Sequence, residues 1–145
     1  MKRHSLEHPL QQQIADALRL EIASPGKGSR DGVVWWSVDH AAYAGSAPGA
    51  RVARGMVTSV PDLFVLHRGI AHMVEIKTPA GELSDPQQSV MAAVLASGGG
   101  VGVVRDADEM LGLLDAWGIP RARRLVVRAL GKRSGFLENS PETPP

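Results

Sequence analysis

Three ionisable side chains, Asp62, Glu75 and Lys77, interrupt apolar stretches of the sequence. Asp62 follows Pro61 and opens a run of four apolar residues, whereas Glu75, thirteen positions after Asp62, and Lys77 alternate with apolar residues. Side chains alternate between the two faces of a strand, so Glu75 and Lys77 share one face. A hairpin would bring Asp62 to that face from the neighbouring strand. The pattern therefore predicts two carboxylates and one ammonium gathered at one position of a sheet.

This set of groups suits the hydrolysis of phosphodiesters. Two carboxylates can hold one or two divalent cations, which polarise a phosphoryl oxygen and lower the pKa of bound water. A lysine can orient or deprotonate that water, or neutralise charge on the phosphoryl oxygens. A simpler interpretation is that Glu75 and Lys77 form an ion pair on a solvated strand. The position of Asp62 one strand upstream strengthens the catalytic interpretation until the two are about equally supported.

Composition limits the kind of protein that could carry this site. The chain has 145 residues, 43% hydrophobic, which fits one domain with a real core. It has no cysteine, so a metal would bind oxygen or histidine ligands, which favours hard cations such as Mg²⁺ and Mn²⁺. The net charge of +1 creates no overall field for nucleic acid. Without an apolar leader or a long apolar run, we expect a soluble, cytoplasmic protein. We also expect that a bacterium or a phage encodes it.

Hydrophobic spacing and turn residues predict the elements that position these side chains. In chain order they are a helix from about Leu6 to Ala23, a strand from Val33 to Val38, strands from Asp62 to Leu66 and from Ala71 to Thr78, a helix opened by Ser84, a strand from Val101 to Val104, and a helix ended by Gly118. The segment His67-Arg68-Gly69 is predicted to join the two middle strands as a hairpin. Residues 41–53 are predicted to form a long loop. The order predicts an α/β fold, a mixed β-sheet flanked by α-helices in a single domain.

The two later helices carry start signals. Ser84 is predicted as the N-cap of the first, with Gln87 closing a capping box. Its buried face is predicted to contain Val90, Met91, Val94 and Leu95. Asp106 or Asp108 is predicted to cap the second.

The pairing of Pro61-Asp62 with Glu75-Ile76-Lys77 resembles the signature of the PD-(D/E)XK nuclease superfamily. The stretch from Gly81 to Gln87 is similar to the virus-type replication-repair nuclease (VRR-NUC) branch, whose members have a Gly-x-Leu-Ser-x-x-Gln segment opening a helix. Members of that branch also carry a glutamate near a glutamine on the first helix, where this chain has Glu7 and Gln11. The resemblance covers about Leu6 to Trp117.

The resemblance implies a restriction-endonuclease-like core and a role for each matching residue. Glu7, Asp62 and Glu75 would bind Mg²⁺ or Mn²⁺ together with the Ile76 backbone carbonyl. Lys77 would be the catalytic lysine, and Gln87 would support the site. The implied activity is that of a structure-selective DNA endonuclease, acting as a homodimer on branched DNA such as four-way (Holliday) junctions. The chain departs from the family at Ser59, where glycine is usual, and at His40, where relatives often have asparagine.

Several of these residues have alternative roles. Glu7 could serve only as an acid at a helix N-terminus, where the macrodipole stabilises it. Gln87 could close only the capping box, in place of or in addition to touching the site. His40 is interpreted as a polar loop residue rather than a catalytic base.

The basic residues near the C-terminus have two interpretations. Residues 121–133 contain six basic side chains and no acidic one, which favours a phosphate-contacting surface over a solvated tail. The predicted DNA contacts are Arg51, Arg54, Arg121, Arg123, Arg124 and Arg128.

We therefore divide the chain into a nuclease domain, residues 1–118, and a basic, partly disordered extension, residues 119–145. The rival functions are a non-catalytic DNA-binding module of the same fold and a hydrolase of small phosphoesters.

Overall fold

The computed structural model of the protein describes residues 4–38 and 48–122. Within them, four strands form one mixed sheet accompanied by helices, in agreement with the predicted α/β class. The elements are α1 (His4–Glu21), β1 (Val33–Ser37), α2 (Pro48–Ala53), β2 (Leu63–His67), β3 (Ile70–Ile76), α3 (Asp85–Ala96), β4 (Gly100–Val104) and α4 (Ala107–Ala116). No helix in these two segments is long and apolar enough to span a membrane.

The strands are ordered β1-β2-β3-β4 across the sheet. β2 runs antiparallel to both β1 and β3, and β4 runs parallel to β3. A parallel connection needs a crossover, which α3 provides between β3 and β4.

The hairpin between β2 and β3 turns through two residues, Arg68 and Gly69. The prediction that His67 also belongs to the turn is wrong. His67 is the last residue of β2 and pairs with Ile70. Arg68 and Gly69 both have positive φ angles, 51° and 77°. A type I′ turn needs positive φ at both central residues, and its twist matches that of the strands. This turn fixes the register of the whole hairpin.

The hydrophobic core lies between one face of the sheet and the helices α1 and α4. Strands contribute alternate residues to it, because successive side chains point to opposite faces. The core contains Ile14 and Leu18 from α1, Met110 and Leu114 from α4, and Val33, Trp35, Leu63, Val65, Val74, Ile76 and Val104 from the sheet. Ile119, one residue beyond the predicted domain boundary, also belongs to it and is 1% exposed.

Gly102 allows α4 to approach the sheet closely. A Cβ atom at this position would lie 2.3 Å from Cδ2 of Leu113. That distance is shorter than van der Waals contact, so a side chain at this position would require the Leu113 side chain to move.

The structure corrects the predicted loop 41–53 and the predicted buried face of α3, and it decides between the two predicted N-caps of the last helix. The predicted loop 41–53 contains a helix from Pro48 to Ala53, since proline suits a first helical turn; residues 41–47 lie outside the described segments. Of the predicted buried face of α3, Met91 is buried and Val90 and Val94 are half-buried. Leu95 is instead 60% exposed, because it lies about 100° around the helix from Val94, which lies against Gly99. Between the two predicted caps of the last helix, the structure has Asp106, whose side chain accepts from the Glu109 N–H.

Candidate active site

Asp62 and Glu75 lie opposite each other where β2 begins and β3 ends. Leu63 pairs with Val74, so the next step of the antiparallel register places Asp62 across from Glu75. On its other side, Asp62 extends the β1–β2 ladder, because its carbonyl accepts a hydrogen bond from the Val38 N–H at 2.8 Å. Directly opposed residues have Cβ atoms about 4.5–5.5 Å apart and project from the same face. That face is the one opposite the core, since Val74 and Ile76 are core residues.

The Asp62 carboxylate also links the two strands of the hairpin at the end opposite the turn. Its Oδ2 accepts a hydrogen bond of 2.8 Å from the backbone N–H of Ile76. This N–H belongs to the peptide that joins Glu75 to Ile76, so the hydrogen bond ties the Asp62 carboxylate to the backbone of β3 next to Glu75.

Glu75 is buried, and Lys77 is paired with it. The Lys77 Nζ atom lies 2.9 Å from Glu75 Oε1, and the two side chains are 15% and 4% exposed. The Lys77 N–H donates to the Val104 carbonyl at 3.0 Å, which extends the β3–β4 ladder and keeps Lys77 on the face of Glu75. The simpler interpretation, an ion pair on a solvated strand, does not fit this burial.

Gln87 combines the two roles that the sequence left open. Its side-chain oxygen accepts from the Ser84 N–H at 3.0 Å, and its N–H donates to Ser84 Oγ at 3.4 Å, which completes the predicted capping box. Its amide nitrogen Nε2 donates to Glu75 Oε1. The cap fixes the amide in place, so the first turn of α3 delivers a donor to the buried carboxylate.

A cation that sequence reasoning missed, Arg105, follows β4 beside this cluster. Ile76 pairs with Val104 in the parallel ladder, so the next register step places Arg105 beside Lys77. The guanidinium donates to the carbonyl of Gly81 at 3.2 Å, which ties the segment between β3 and α3 to β4. The available signal was a basic residue directly after a strand parallel to the Glu75 strand.

The third predicted carboxylate, Glu7, lies in the first turn of α1 and is half-buried. In residues 4–38 and 48–122, no group of three or more His, Cys, Asp or Glu side chains is arranged to hold a metal ion. The carboxylates that the sheet brings together are therefore Asp62 and Glu75. His40 lies outside the described segments.

The predicted DNA-contacting arginines are in different environments. Arg121 is 16% exposed and donates twice to Asp115, with both distances 3.0 Å, while its Nη1 lies 3.7 Å from Glu21 Oε2. It therefore ties the end of α4 to α1, and its charge is already offset. Arg51 is half-buried and Arg54 is exposed. The remaining three, Arg123, Arg124 and Arg128, lie outside the described residues.

Oxygen ligands at this position fit a small hard cation. Mg²⁺ is commonly bound by one or two carboxylates while it keeps several waters for contacts with phosphate. Asp62 and Glu75, opposed on one sheet face, provide that number of carboxylates.

No family model, curated protein or solved structure matches the chain.

Proposed function

We propose that the protein is a metal-dependent DNA endonuclease whose active centre consists of Asp62, Glu75 and Lys77. The observation that carries this proposal is the buried Glu75 carboxylate, which lies across from Asp62 and accepts hydrogen bonds from Lys77 and Gln87. The same arrangement supports the resemblance to PD-(D/E)XK nucleases of the VRR-NUC branch. The mixed sheet with flanking helices is compatible with the restriction-endonuclease-like fold which that resemblance implies.

Burial is the reason to assign function rather than stability to these charges. Removing an ion pair from water costs several kcal/mol per ion, and well-packed apolar residues are often equally or more stabilising. Glu75 nevertheless keeps its charge partner and its amide donor inside the protein. A buried ion pair that lies beside a second carboxylate is therefore a candidate for a functional role.

Asp62 and Glu75 are the residues that would hold Mg²⁺ or Mn²⁺, with the Ile76 carbonyl and Glu7 as the proposed further ligands. The bound cation would polarise the scissile phosphate and make water more acidic. Glu75 orients the Lys77 ammonium by an ion pair. The Gln87 amide in turn holds the Glu75 carboxylate by a hydrogen bond. Lys77 can then donate hydrogen bonds to the phosphoryl oxygens, where negative charge develops during attack.

DNA is proposed as the substrate because a polymer explains the basic residues outside the site. Arg54 is exposed, and the basic extension contributes Arg123, Arg124 and Arg128. Arg121 is left out of this surface because its guanidinium is paired with Asp115. Selectivity for branched DNA and assembly as a homodimer are proposed from the resemblance.

A cleavage assay on linear, nicked, flapped and four-way DNA, with RNA counterparts, tests the proposal. We expect cleavage with Mg²⁺ or Mn²⁺ and none with EDTA. Lys77→Ala should lower turnover at least a hundredfold, as expected for a group acting on the reaction, while Mn²⁺ and DNA still bind. Lys27→Ala, at an exposed position, is the matched control.

Metal binding, measured by calorimetry, separates the ligands from the lysine. Asp62→Asn and Glu75→Gln should lose both Mn²⁺ binding and cleavage, whereas the exposed control Glu82→Gln should keep both. Glu7→Gln should weaken Mn²⁺ binding at least tenfold if Glu7 is a ligand, and leave it unchanged if Glu7 only favours the helix N-terminus. Cleavage that survives in pure Lys77→Ala protein would refute the proposal. DNA binding without metal-dependent cleavage would favour a binding module, and cleavage of small phosphoesters alone would favour the other rival.

A further inference from the structure

An aromatic pair, Trp36 and Phe64, lies on the sheet beside the candidate active site. The two rings are stacked, with centroids 5.2 Å apart and planes within 4° of each other. Trp36 is 38% exposed, whereas the adjacent Trp35 is 1% exposed and belongs to the core. Neighbouring tryptophans are thus divided between the two faces of β1.

The register places this pair directly next to the two carboxylates. Trp36 pairs with Phe64, and Asp62 precedes Phe64 by two residues, so all three project from the same face. Trp36 and Asp62 are diagonal neighbours, whose Cα atoms are about 7–8 Å apart in an antiparallel pair. A planar group lying on Trp36 would therefore be within about one nucleotide of the Asp62–Glu75 position.

The Trp36 side of this stack lies at the edge of the described sheet. β1 is at the edge of the sheet, and no further strand pairs with it in the part of the chain that the structure describes. Phe64 lies against one side of the Trp36 indole, and the exposure of Trp36 leaves surface for another flat partner. Nucleobases stack on aromatic side chains in this way whatever their sequence, because every base has a π-face.

We propose that Trp36, backed by Phe64, stacks an unpaired nucleobase next to the phosphate that is cleaved. The proposal rests on the nuclease function, and it specifies the class of substrate. A base inside a duplex is already stacked on both sides, and the grooves expose only its edges. The DNA bound at this site therefore has at least one unpaired nucleotide, as at a flap, a gap, an end or an opened branch point.

Binding measured in EDTA tests this proposal without depending on cleavage. Full-length protein is titrated with oligo(dT) and with a blunt duplex of equal length, and tryptophan emission and Kd are recorded. We expect oligo(dT) to quench emission, and Trp36→Ala to weaken its binding about tenfold, a typical effect of losing one stacked base. Binding of the duplex should stay within twofold.

Two variants control for folding and for general apolar effects. Trp36→Phe keeps a ring and should retain most of the oligo(dT) affinity while losing most of the quenching. Ile70→Ala removes an exposed apolar side chain that the register places on the other face of the sheet, and it should change neither property.

The outcomes distinguish this proposal from the proposed function. Stacking without cleavage in Mg²⁺ or Mn²⁺ would support the base platform and refute the nuclease. If the protein cleaves DNA and Trp36→Ala leaves oligo(dT) binding unchanged, the nuclease is supported and the base platform is refuted. A Trp36→Ala protein that binds oligo(dT) normally but halves its mass in light scattering would overturn the platform and assign Trp36 to contact with a second copy.

Discussion

Replacement of Gln87 tests how the buried Glu75 is held, and it can be measured as stability without any substrate. Gln87 closes the capping box with Ser84 and also donates to Glu75 Oε1. Gln87→Glu keeps an oxygen for the Ser84 N–H but removes the donor and places a second carboxylate beside Glu75. Ser84→Ala is the matched control, because it removes the hydroxyl cap and leaves the amide that reaches Glu75.

The two changes should differ clearly in magnitude. Loss of a serine cap costs about 1 kcal/mol of stability. A hydrogen bond to a charged group contributes about 1.5–3 kcal/mol, and two nearby carboxylates repel as well, so Gln87→Glu should cost about 3 kcal/mol or more. The excess should shrink at acidic pH, because protonation of either carboxyl restores a donor and removes the repulsion.

Urea unfolding at neutral pH measures both free energies. The exchange Glu75→Gln with Gln87→Glu restores an amide opposite a carboxylate, so it should recover part of the loss in a double-mutant cycle. If Gln87→Glu is no less stable than Ser84→Ala, or if the exchange recovers nothing, the amide does not support Glu75 and this account of the site is wrong.

Two further predictions concern the opposite face of the sheet and the assembly of the protein. His72 is buried against Trp117, and burial and the neighbouring His67 both lower its pKa from the ordinary value of 6.5. The unfolded chain therefore binds a proton below about pH 6.5 that folded His72 resists, so the free energy of unfolding should fall as the pH drops below that value. His72→Phe should flatten this dependence and the exposed control His8→Gln should not; an unchanged slope in His72→Phe would assign the effect to other groups. If paired cleavage of a symmetric junction is the activity, light scattering at micromolar concentration should give about twice the chain mass; a monomer, both free and on a four-way junction, would favour an enzyme that nicks or trims one strand.

Local signals in the sequence determined much of the fold. The cap of α3 was predictable because Ser84 and Gln87 are three residues apart, and that spacing alone closes a capping box. The shared face of Glu75 and Lys77 was predictable as well, since alternation along a strand does not depend on what surrounds it. The mixed sheet followed from the order of the elements.

The tertiary structure decided which side chains meet. Asp62 faces Glu75 only because the hairpin turns at Arg68 and Gly69, and a slip of one residue in this register would place Asp62 across from a core position. The division between buried Trp35 and exposed Trp36 required an edge strand with one face against α1 and α4. Arg121 is basic in sequence, yet folding places Asp115 beside it and offsets its charge. Periodicity is a property of neighbours along the chain, whereas these contacts depend on strand register and helix packing between distant segments.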